Sequence, residues 1–291
     1  MNDYLLTAIL GIVEGITEFL PISSTAHIRI AQALLGMDLK NGFWEMYAIV
    51  IQIGAILTLP IFFRERIAVW LRSFPAGTRG DRTVLTHPLT LTFISLVFTA
   101  IPALALEKVI SKHLEDIPLI AITMIAGGIV MWVVDSMFGG RETGVTETEA
   151  AREIERMGFL RAVWIGLCQA VSGIFPGTSR SMATISGGQI CGLTRTAALE
   201  YSFLLSIPTM VAATGHDLRK ALKTSADTAP VHIDAHGWVL LLMGTVISFI
   251  VAYVVVAWFM NWVRTRGFVP FAIYRIIFGA AVLAWVFAGA K

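Results

Sequence analysis

Residues 4–36 read YLLTAILGIVEGITEFLPISSTAHIRIAQALLG, in which two short apolar stretches, near 4–20 and 25–36, flank the polar loop PISST at 21–25. Each stretch is shorter than the ~20 residues that a helix needs to cross a bilayer. Residues 160–175 and 180–191 show the same arrangement around the polar loop PGTSRS at 176–181. Irregular backbone is tolerated at membrane depth only where protein or water satisfies it. The sequence therefore predicts two helical hairpins that enter a membrane and turn back, with both loops lining one cavity.

The composition places the whole chain in a bilayer. Of its 291 residues, 56% are hydrophobic and 14% are charged, and the mean hydropathy is +0.74. Apolar runs long enough to cross a membrane lie at 45–63, 88–107, 117–135, 197–215, 237–260 and 268–288. The predicted fold is an all-α polytopic membrane protein with an inverted-topology repeat, six transmembrane helices and two re-entrant hairpins. The net charge of +2, without a basic stripe, argues against a nucleic-acid partner.

The two halves of the chain resemble each other when one is shifted by 155 residues. The identical pairs are Gly11 with Gly166, Pro21 with Pro176, Ser24 with Ser179, Glu45 with Glu200 and Arg64 with Arg219. Each half then holds one hairpin and three crossings, and an odd number of crossings inverts the second half relative to the first. We predict a single integral membrane domain over residues 1–291, with repeats at 1–135 and 160–291 joined by a charged cytoplasmic link at 136–159.

The placement of arginine residues indicates the orientation. Five arginines lie between residues 64 and 86, and Arg264 and Arg266 lie in the link at 262–267. The six-crossing prediction puts both links on one side of the membrane, which the positive-inside rule makes cytoplasmic. The first hairpin and both termini then face outward.

Two carboxylates lie inside the first apolar stretch. Glu14 and Glu18 are four residues apart, which puts both on one face of a helix. Burying two like charges is costly unless a cation, a shared proton or an arginine compensates. We interpret the pair as a metal site or an acid/base pair, with a structural ion pair or a proton relay as the alternative.

Hydroxyl groups and a histidine follow the first loop. Ser23, Ser24 and Thr25 open the second arm of the hairpin, where hydroxyls cap a helix and its free N–H groups attract anions. His27 follows Ser24 by three residues and shares its helix face, so a nucleophile and a proton-transfer group come within reach of each other. Capping alone is the alternative for the hydroxyls, and simple hydrogen bonding is the alternative for His27.

The second loop places hydroxyls and a guanidinium at the start of another half-helix. Thr178, Ser179 and Ser181 surround Arg180, whose planar fork suits phosphate oxygens. The alternative for Arg180 is a pairing with one of the two acids. Arg275, inside the last crossing, is expected to pair with an acidic group or with a carbonyl of another helix, with a direct substrate role as the alternative.

Together, the two loops supply carboxylates, hydroxyls, an imidazole and a guanidinium at two helix N-termini. This set suits phosphoryl transfer, which depends on positioning and charge neutralisation. A lipid-phosphate flippase is the rival class, because inverted repeats, broken helices and a midplane anion site also characterise transporters.

Four blocks of the sequence resemble the undecaprenyl-diphosphate phosphatase family associated with bacitracin resistance. They are EGITEFLPISSTAH (14–27), PGTSRSMATISGG (176–188), EYSFLLSIP (200–208) and VPFAIYR (269–275). The resemblance implies a bacterial inner-membrane enzyme with a periplasm-facing active site. Such an enzyme hydrolyses undecaprenyl diphosphate to the monophosphate and inorganic phosphate, and so recycles the carrier lipid for peptidoglycan and other envelope polymers. The expected partners are this lipid substrate and membrane lipid, with a homodimer as the candidate assembly.

The resemblance also implies roles for individual residues: Ser24 as nucleophile, His27 as its partner, Glu14 and Glu18 as the acidic pair, and Arg180 as the phosphate-binding arginine. The additional candidates for phosphate binding are Ser23, Thr25, Thr178, Ser179 and Ser181. The divalent cation that the resemblance implies, Mg²⁺ or Ca²⁺, is assigned to Glu14 and Glu18. We hypothesise that Ser24 attacks the terminal phosphorus while Glu18 or His27 takes its proton, with direct attack by a metal-bound water as the rival chemistry.

Overall fold

The computed structural model describes residues 2–37, 42–106, 116–139, 146–222 and 233–289, and these ranges contain twelve helices and no strand. The helices are α1 (Asp3–Thr17), α2 (Ser24–Leu34), α3 (Gly42–Phe62), α4 (Arg64–Ser73), α5 (Pro88–Ala105), α6 (Ile117–Phe138), α7 (Glu147–Glu155), α8 (Phe159–Ile174), α9 (Arg180–Ile190), α10 (Arg195–Leu222), α11 (Ala235–Arg266) and α12 (Val269–Phe287).

Six of these helices are long and apolar enough to cross a membrane: α3, α5, α6, α10, α11 and α12. They coincide with the six predicted crossings, so the prediction of an all-helical polytopic membrane protein is confirmed. The differences are largest in α10, with 28 residues against the 19 of the predicted run at 197–215, and in α11, with 32 residues against the 24 of the run at 237–260. Helix α11 extends because Asp234 caps its start by accepting from the N–H of Gly237, while Arg264 and Arg266 occupy its last turn.

The remaining helices include the two predicted hairpins. Helix α1 packs against α2, and α8 packs against α9. With 15 and 11 residues, α1 and α2 are about 22 and 16 Å long at 1.5 Å per residue. Neither reaches across ~30 Å of hydrocarbon. These lengths agree with re-entrant hairpins, whose insertion into the membrane stays a prediction.

The first arm of each hairpin packs against a crossing of the other half. Helix α1 lies against α11, and α8 lies against α5. The approach is close because a side chain at Gly11 would meet the carbonyl oxygen of Gly244 at 3.0 Å, and a side chain at Gly166 would run into the carbonyl of Ser95. Gly11 and Gly166 are a pair in the 155-residue register. This exchange of arms is what an inverted repeat predicts, and the repeat itself stays a prediction.

The predicted charged link at 136–159 contains the short helix α7, while residues 140–145 lie outside the described ranges. Thr146 and Glu149 form a capping box at the start of α7. The charge of the link favours a solvated segment, yet Ala150 and Ile154 are fully buried. The structure therefore corrects that expectation for one face of the helix, because apolar residues at helical spacing turn this face toward α10.

A buried carboxylate ties together the helix ends beside this link. Asp135, near the end of α6, accepts hydrogen bonds from the guanidinium of Arg195 at 2.7 and 3.0 Å, from Gln189 at 3.0 Å and from the backbone N–H of Phe268 at 2.9 Å. Four donors satisfy a group that would be costly to bury alone. Asp135 thus connects α6, α9, α10 and the start of α12.

Candidate active site

The site begins with two loops of matching backbone. Ser23 and Ser179 have φ angles of 74° and 72°, and they are the two non-glycine residues with positive φ in the described ranges. Such a conformation costs of order 1–3 kcal/mol and is concentrated at functional sites. Each serine immediately precedes a half-helix, α2 or α9. The second loop has one more residue between its proline and this serine, so the structure matches Ser179 with Ser23, whereas the sequence register pairs it with Ser24.

The two loops meet at one carboxylate. The hydroxyl of Ser24 donates to Oε2 of Glu18 at 2.5 Å, and Nη2 of Arg180 donates to Oε1 of the same carboxylate at 3.0 Å. Glu18 is 7% exposed and Ser24 is 8% exposed. A serine bonded to a carboxylate has a ready acceptor for its proton, which is the arrangement that general-base activation requires. The structure thus brings together three of the predicted site residues, one hydroxyl, one acid and one guanidinium.

The second acid lies one helical turn earlier. Glu14 is 2% exposed, and its carboxyl group interacts with that of Glu18. Its Oε1 is buried without a hydrogen-bond partner among the described residues, as are Nη1 of Arg180 and Oγ of Ser181. Buried polar atoms of this kind are expected to have partners in the working protein. An acceptor and two donors are therefore available for ligand binding at these two loops.

His27 is engaged away from the serine. Its Nδ1 bonds the carbonyl oxygen of Ser23 at 2.7 Å, and its Nε2 bonds the hydroxyl of Tyr274 at 2.7 Å. The carbonyl can only accept, so Nδ1 carries the proton and Nε2 of the neutral ring accepts from Tyr274. The imidazole also stacks on Phe278 with ring centroids 4.6 Å apart. The expected approach of His27 to the hydroxyl of Ser24 is not found, because that hydroxyl bonds Glu18 instead.

The other predicted phosphate-binding hydroxyls have different surroundings. Ser23 and Thr178 are buried, and the side chain of Ser23 makes no capping bond, while Thr25 is exposed. The hydroxyl of Ser179 accepts from the N–H of Met182 at 3.4 Å and so caps α9. Ser181 is 1% exposed, and its hydroxyl has no partner among the described residues. Capping, the alternative weighed from the sequence, accounts for Ser179, and phosphate binding by the set stays a prediction.

A fully buried arginine contacts the backbone of both loops. Arg275 bonds the carbonyl oxygens of Pro21 and Gly177, each at 3.0 Å, and that of Met124 at 3.2 Å. Of the two partners expected from the sequence, an acid or a carbonyl, the structure shows carbonyls. Sequence reasoning gave no role to Tyr274, the neighbour of Arg275. The signal that could have found it is its place in the block VPFAIYR, next to an arginine buried in a crossing.

The two carboxylates offer hard oxygen ligands. No group of three or more His, Cys, Asp or Glu side chains in the described ranges has the arrangement of a metal site. Mg²⁺ is commonly held by one or two protein carboxylates together with substrate phosphates and water, so two acids are enough for it. The unpartnered Oε1 of Glu14 fits such a role, whereas both oxygens of Glu18 already accept hydrogen bonds.

Fold and site together define a class: a polytopic membrane protein in which a buried serine and a partly buried arginine bond one buried carboxylate where the two loops meet. The family described as "Bacitracin resistance protein BacA" matches residues 7–281. The chain belongs to this family.

The sequence is similar to those of other proteins over almost its whole length. An undecaprenyl-diphosphatase of Koribacter versatilis (strain Ellin345) is 58% identical over 289 residues, covering 98% of this chain and 99% of that protein. Undecaprenyl-diphosphatases of Sorangium cellulosum and Thermus thermophilus are 40% and 36% identical, covering 94% and 96% of this chain and 84% and 95% of those proteins.

Proposed function

We propose that this protein hydrolyses undecaprenyl diphosphate to undecaprenyl phosphate and inorganic phosphate. The observation that carries the proposal is the hydrogen-bonded set Ser24–Glu18–Arg180 at the start of a half-helix. Relatives that share nearly the full length of the chain are undecaprenyl-diphosphatases. A nucleophile, a base and a guanidinium are the groups that phosphoryl transfer needs.

The proposed reaction has two steps. The oxygen of Ser24 attacks the terminal phosphorus while its proton passes to Glu18, and the bond to the bridging oxygen breaks to release prenyl phosphate. Water then attacks the phosphoserine, and the bond between phosphorus and the Ser24 oxygen breaks. Glu18 returns its proton to that oxygen, and phosphate leaves with the oxygen and both protons of the water, so that Ser24 and Glu18 are restored. The hydrogen bond from Ser24 to Glu18 defines the path of the first proton.

Charge neutralisation falls to Arg180 and the helix start. Nη2 of Arg180 holds Glu18, while Nη1 is left to donate to a phosphate oxygen. Ser24 is the first residue of α2, where free backbone N–H groups and the helix dipole favour an anion. His27, with both ring nitrogens occupied, orients the loop through the carbonyl of Ser23 and takes no part in proton transfer.

A divalent cation, Mg²⁺ or Ca²⁺, is proposed to be held by Glu14, with Glu18 as the neighbouring acid. When bound, the cation would neutralise the diphosphate and polarise its phosphoryl oxygens. The supporting observation is the buried, unpartnered Oε1 of Glu14. We expect Glu14→Gln to raise the Mg²⁺ concentration needed for half-maximal phosphate release. If the Mg²⁺ dependence of Glu14→Gln matches that of wild type, the cation is held elsewhere.

The proposed location is the bacterial inner membrane, with the first hairpin opening toward the periplasm. The six spans support a multi-pass membrane protein. The arginines at 64–82, together with Arg264 and Arg266, support the orientation through the positive-inside rule. Cysteine labelling from each side of the membrane tests it: Thr25→Cys should react from outside, because Thr25 is exposed beside the site. If Thr25→Cys reacts only from the cytoplasmic side, the proposed orientation is wrong.

The decisive experiment is phosphate release from undecaprenyl diphosphate by purified protein in detergent, with and without chelator. Hydrolysis predicts release that falls on chelation and is lost in Ser24→Ala, and a phosphoserine trapped on Ser24 establishes the covalent step. A flippase, the alternative, would move lipid without releasing phosphate. Release that survives in Ser24→Ala would favour direct attack by water. In cells, expression should raise resistance to bacitracin, in keeping with the family's description.

A further inference from the structure

Arg275 combines complete burial with an unusual set of partners. Its relative exposure is 0%. Its guanidinium donates to the carbonyl oxygens of Pro21 in the first loop, Gly177 in the second loop, and Thr123 and Met124 in α6, at 3.0, 3.0, 3.5 and 3.2 Å. All three guanidinium nitrogens are therefore in use, and none of these bonds goes to a carboxylate.

The two usual roles of an arginine inside a membrane do not fit these contacts. An ion pair would place a carboxylate against the guanidinium, yet the contacts in the described ranges are carbonyls. Direct substrate binding would require exposed N–H groups, and the side chain exposes none. The contacts instead fit a structural role, because one rigid, planar guanidinium bonds three separate segments of the backbone.

Two of the carbonyl groups that Arg275 bonds lie close in sequence to site residues. Pro21 lies three residues before Ser24, and Gly177 lies three residues before Arg180. The two functional side chains share the carboxylate of Glu18, so their bonds depend on the relative position of the two loops. A displacement of about 1 Å at a reacting group can cost on the order of 100-fold in rate.

We propose that Arg275 is a positioning residue that bonds the two active-site loops to each other and to α6, and so holds Ser24 and Arg180 on the same carboxylate. The expected effect of Arg275 on turnover rests on the proposed function, whereas its effect on the position of the two loops does not. The positive charge of Arg275, which bonds carbonyl groups among the described residues, adds to the electrostatic attraction for an anionic headgroup.

The chain offers a matched control in Thr123. Its hydroxyl donates to the carbonyl of Pro176 and therefore fastens the second loop alone to α6. Thr123→Val removes that bond and leaves the first loop untouched, whereas Arg275→Gln removes bonds to both loops. Arg275→Lys keeps the charge but replaces the planar fork with a single ammonium group.

The experiment measures hydrogen exchange of residues 19–25 and 175–181, together with the kinetics of phosphate release, in the full chain in lipid nanodiscs. We expect faster exchange in both loops for Arg275→Gln, in the second loop only for Thr123→Val, and unchanged exchange in α3 and α11. We expect kcat to fall about 100-fold in Arg275→Gln with a smaller change in KM. Arg275→Lys should show the same two-loop pattern to a lesser degree.

Each outcome decides the proposal. Faster exchange confined to one loop in Arg275→Gln, or wild-type exchange with only KM raised, would show that Arg275 does not couple the loops. If Arg275→Gln does not fold, Arg275→Lys decides: full protection of both loops with wild-type kcat would overturn the proposal. If the wild-type protein releases no phosphate, the proposed function fails, and the exchange pattern still tests the coupling.

Discussion

Replacing Glu18 by glutamine tests the reaction at its centre. Glu18 is 7% exposed and accepts from Ser24 at 2.5 Å and from Arg180 at 3.0 Å. The amide keeps the size of the side chain but cannot take the proton of the serine. Loss of a general base typically costs 10²–10⁴-fold in rate, about 3–5 kcal/mol of transition-state stabilisation. We expect kcat for phosphate release from undecaprenyl diphosphate to fall by that factor.

The double variant sharpens this prediction. If Glu18 acts through Ser24, then adding Glu18→Gln to Ser24→Ala should cost little more than Ser24→Ala alone, because groups that act as one unit lose their effect together. Glu14→Gln is the comparison, and it is measured at saturating Mg²⁺ because Glu14 is proposed to hold the cation. It removes a buried carboxylate one turn away that makes no hydrogen bond to the serine. Initial rates of phosphate release, measured in detergent at saturating lipid, give kcat for each variant.

Two results would refute the reasoning. One is a Glu18→Gln variant that keeps more than about a tenth of the wild-type kcat, since no general base is worth so little. The other is full additivity, in which the double variant is slower than Ser24→Ala by the whole factor measured for Glu18→Gln. Additivity would mean that Glu18 serves a step that does not involve the serine.

Three further predictions concern the scaffold. Gly54→Leu should lower the stability in detergent by about 1–3 kcal/mol, because a side chain there runs into the backbone of α11, whereas Gly215→Ala, with open space, should be neutral or stabilising. Asp135→Ala should cost less than the roughly 3–5 kcal/mol of a fully buried pair, since Arg195 is 20% exposed, and thermal unfolding would measure it. Hydrogen bonds from the capping threonine lower the pKa of Glu149, so the cap should hold α7 at neutral pH and weaken as pH falls through that lowered pKa; chemical shifts of α7 amides that do not move with pH would contradict this.

The spans were predictable because their signal is local. A run of about 20 apolar residues has one stable solution in a bilayer, a helix that satisfies its own backbone. The predicted runs at 45–63 and 117–135 accordingly correspond to Gly42–Phe62 and Ile117–Phe138. Helix ends were less predictable, since α10 and α11 continue beyond their apolar runs wherever caps and charged residues satisfy the final turns.

The sequence predicted which residues come together at the site, but only some of the hydrogen bonds between them. Helical spacing indicated a contact between Ser24 and His27, yet the hydroxyl turns to Glu18, six residues earlier and across the loop. His27 instead bonds Tyr274, 247 residues away in sequence. No local period encodes such a contact, because it depends on how α12 packs against the rest of the molecule. The pairing of Arg180 with Glu18 was among the alternatives and is found.

The two loops have the same backbone turn, but the helices that lead into them carry different side chains. In the 155-residue register, Gln169 stands opposite Glu14 and Gly173 opposite Glu18, and the amide of Gln169 donates to the hydroxyls of Thr99 and Thr209 at 2.9 and 3.1 Å. The positions of α8 that stand opposite the two acids are thus uncharged, and the amide nitrogen of Gln169 is satisfied by hydroxyls. If the halves are inverted repeats, the first half carries Glu14, Glu18 and Ser24, and the second half carries Arg180. Both halves are needed for the hydrogen-bonded set, because Glu18 and Ser24 come from the first half and the guanidinium that bonds Glu18 comes from the second.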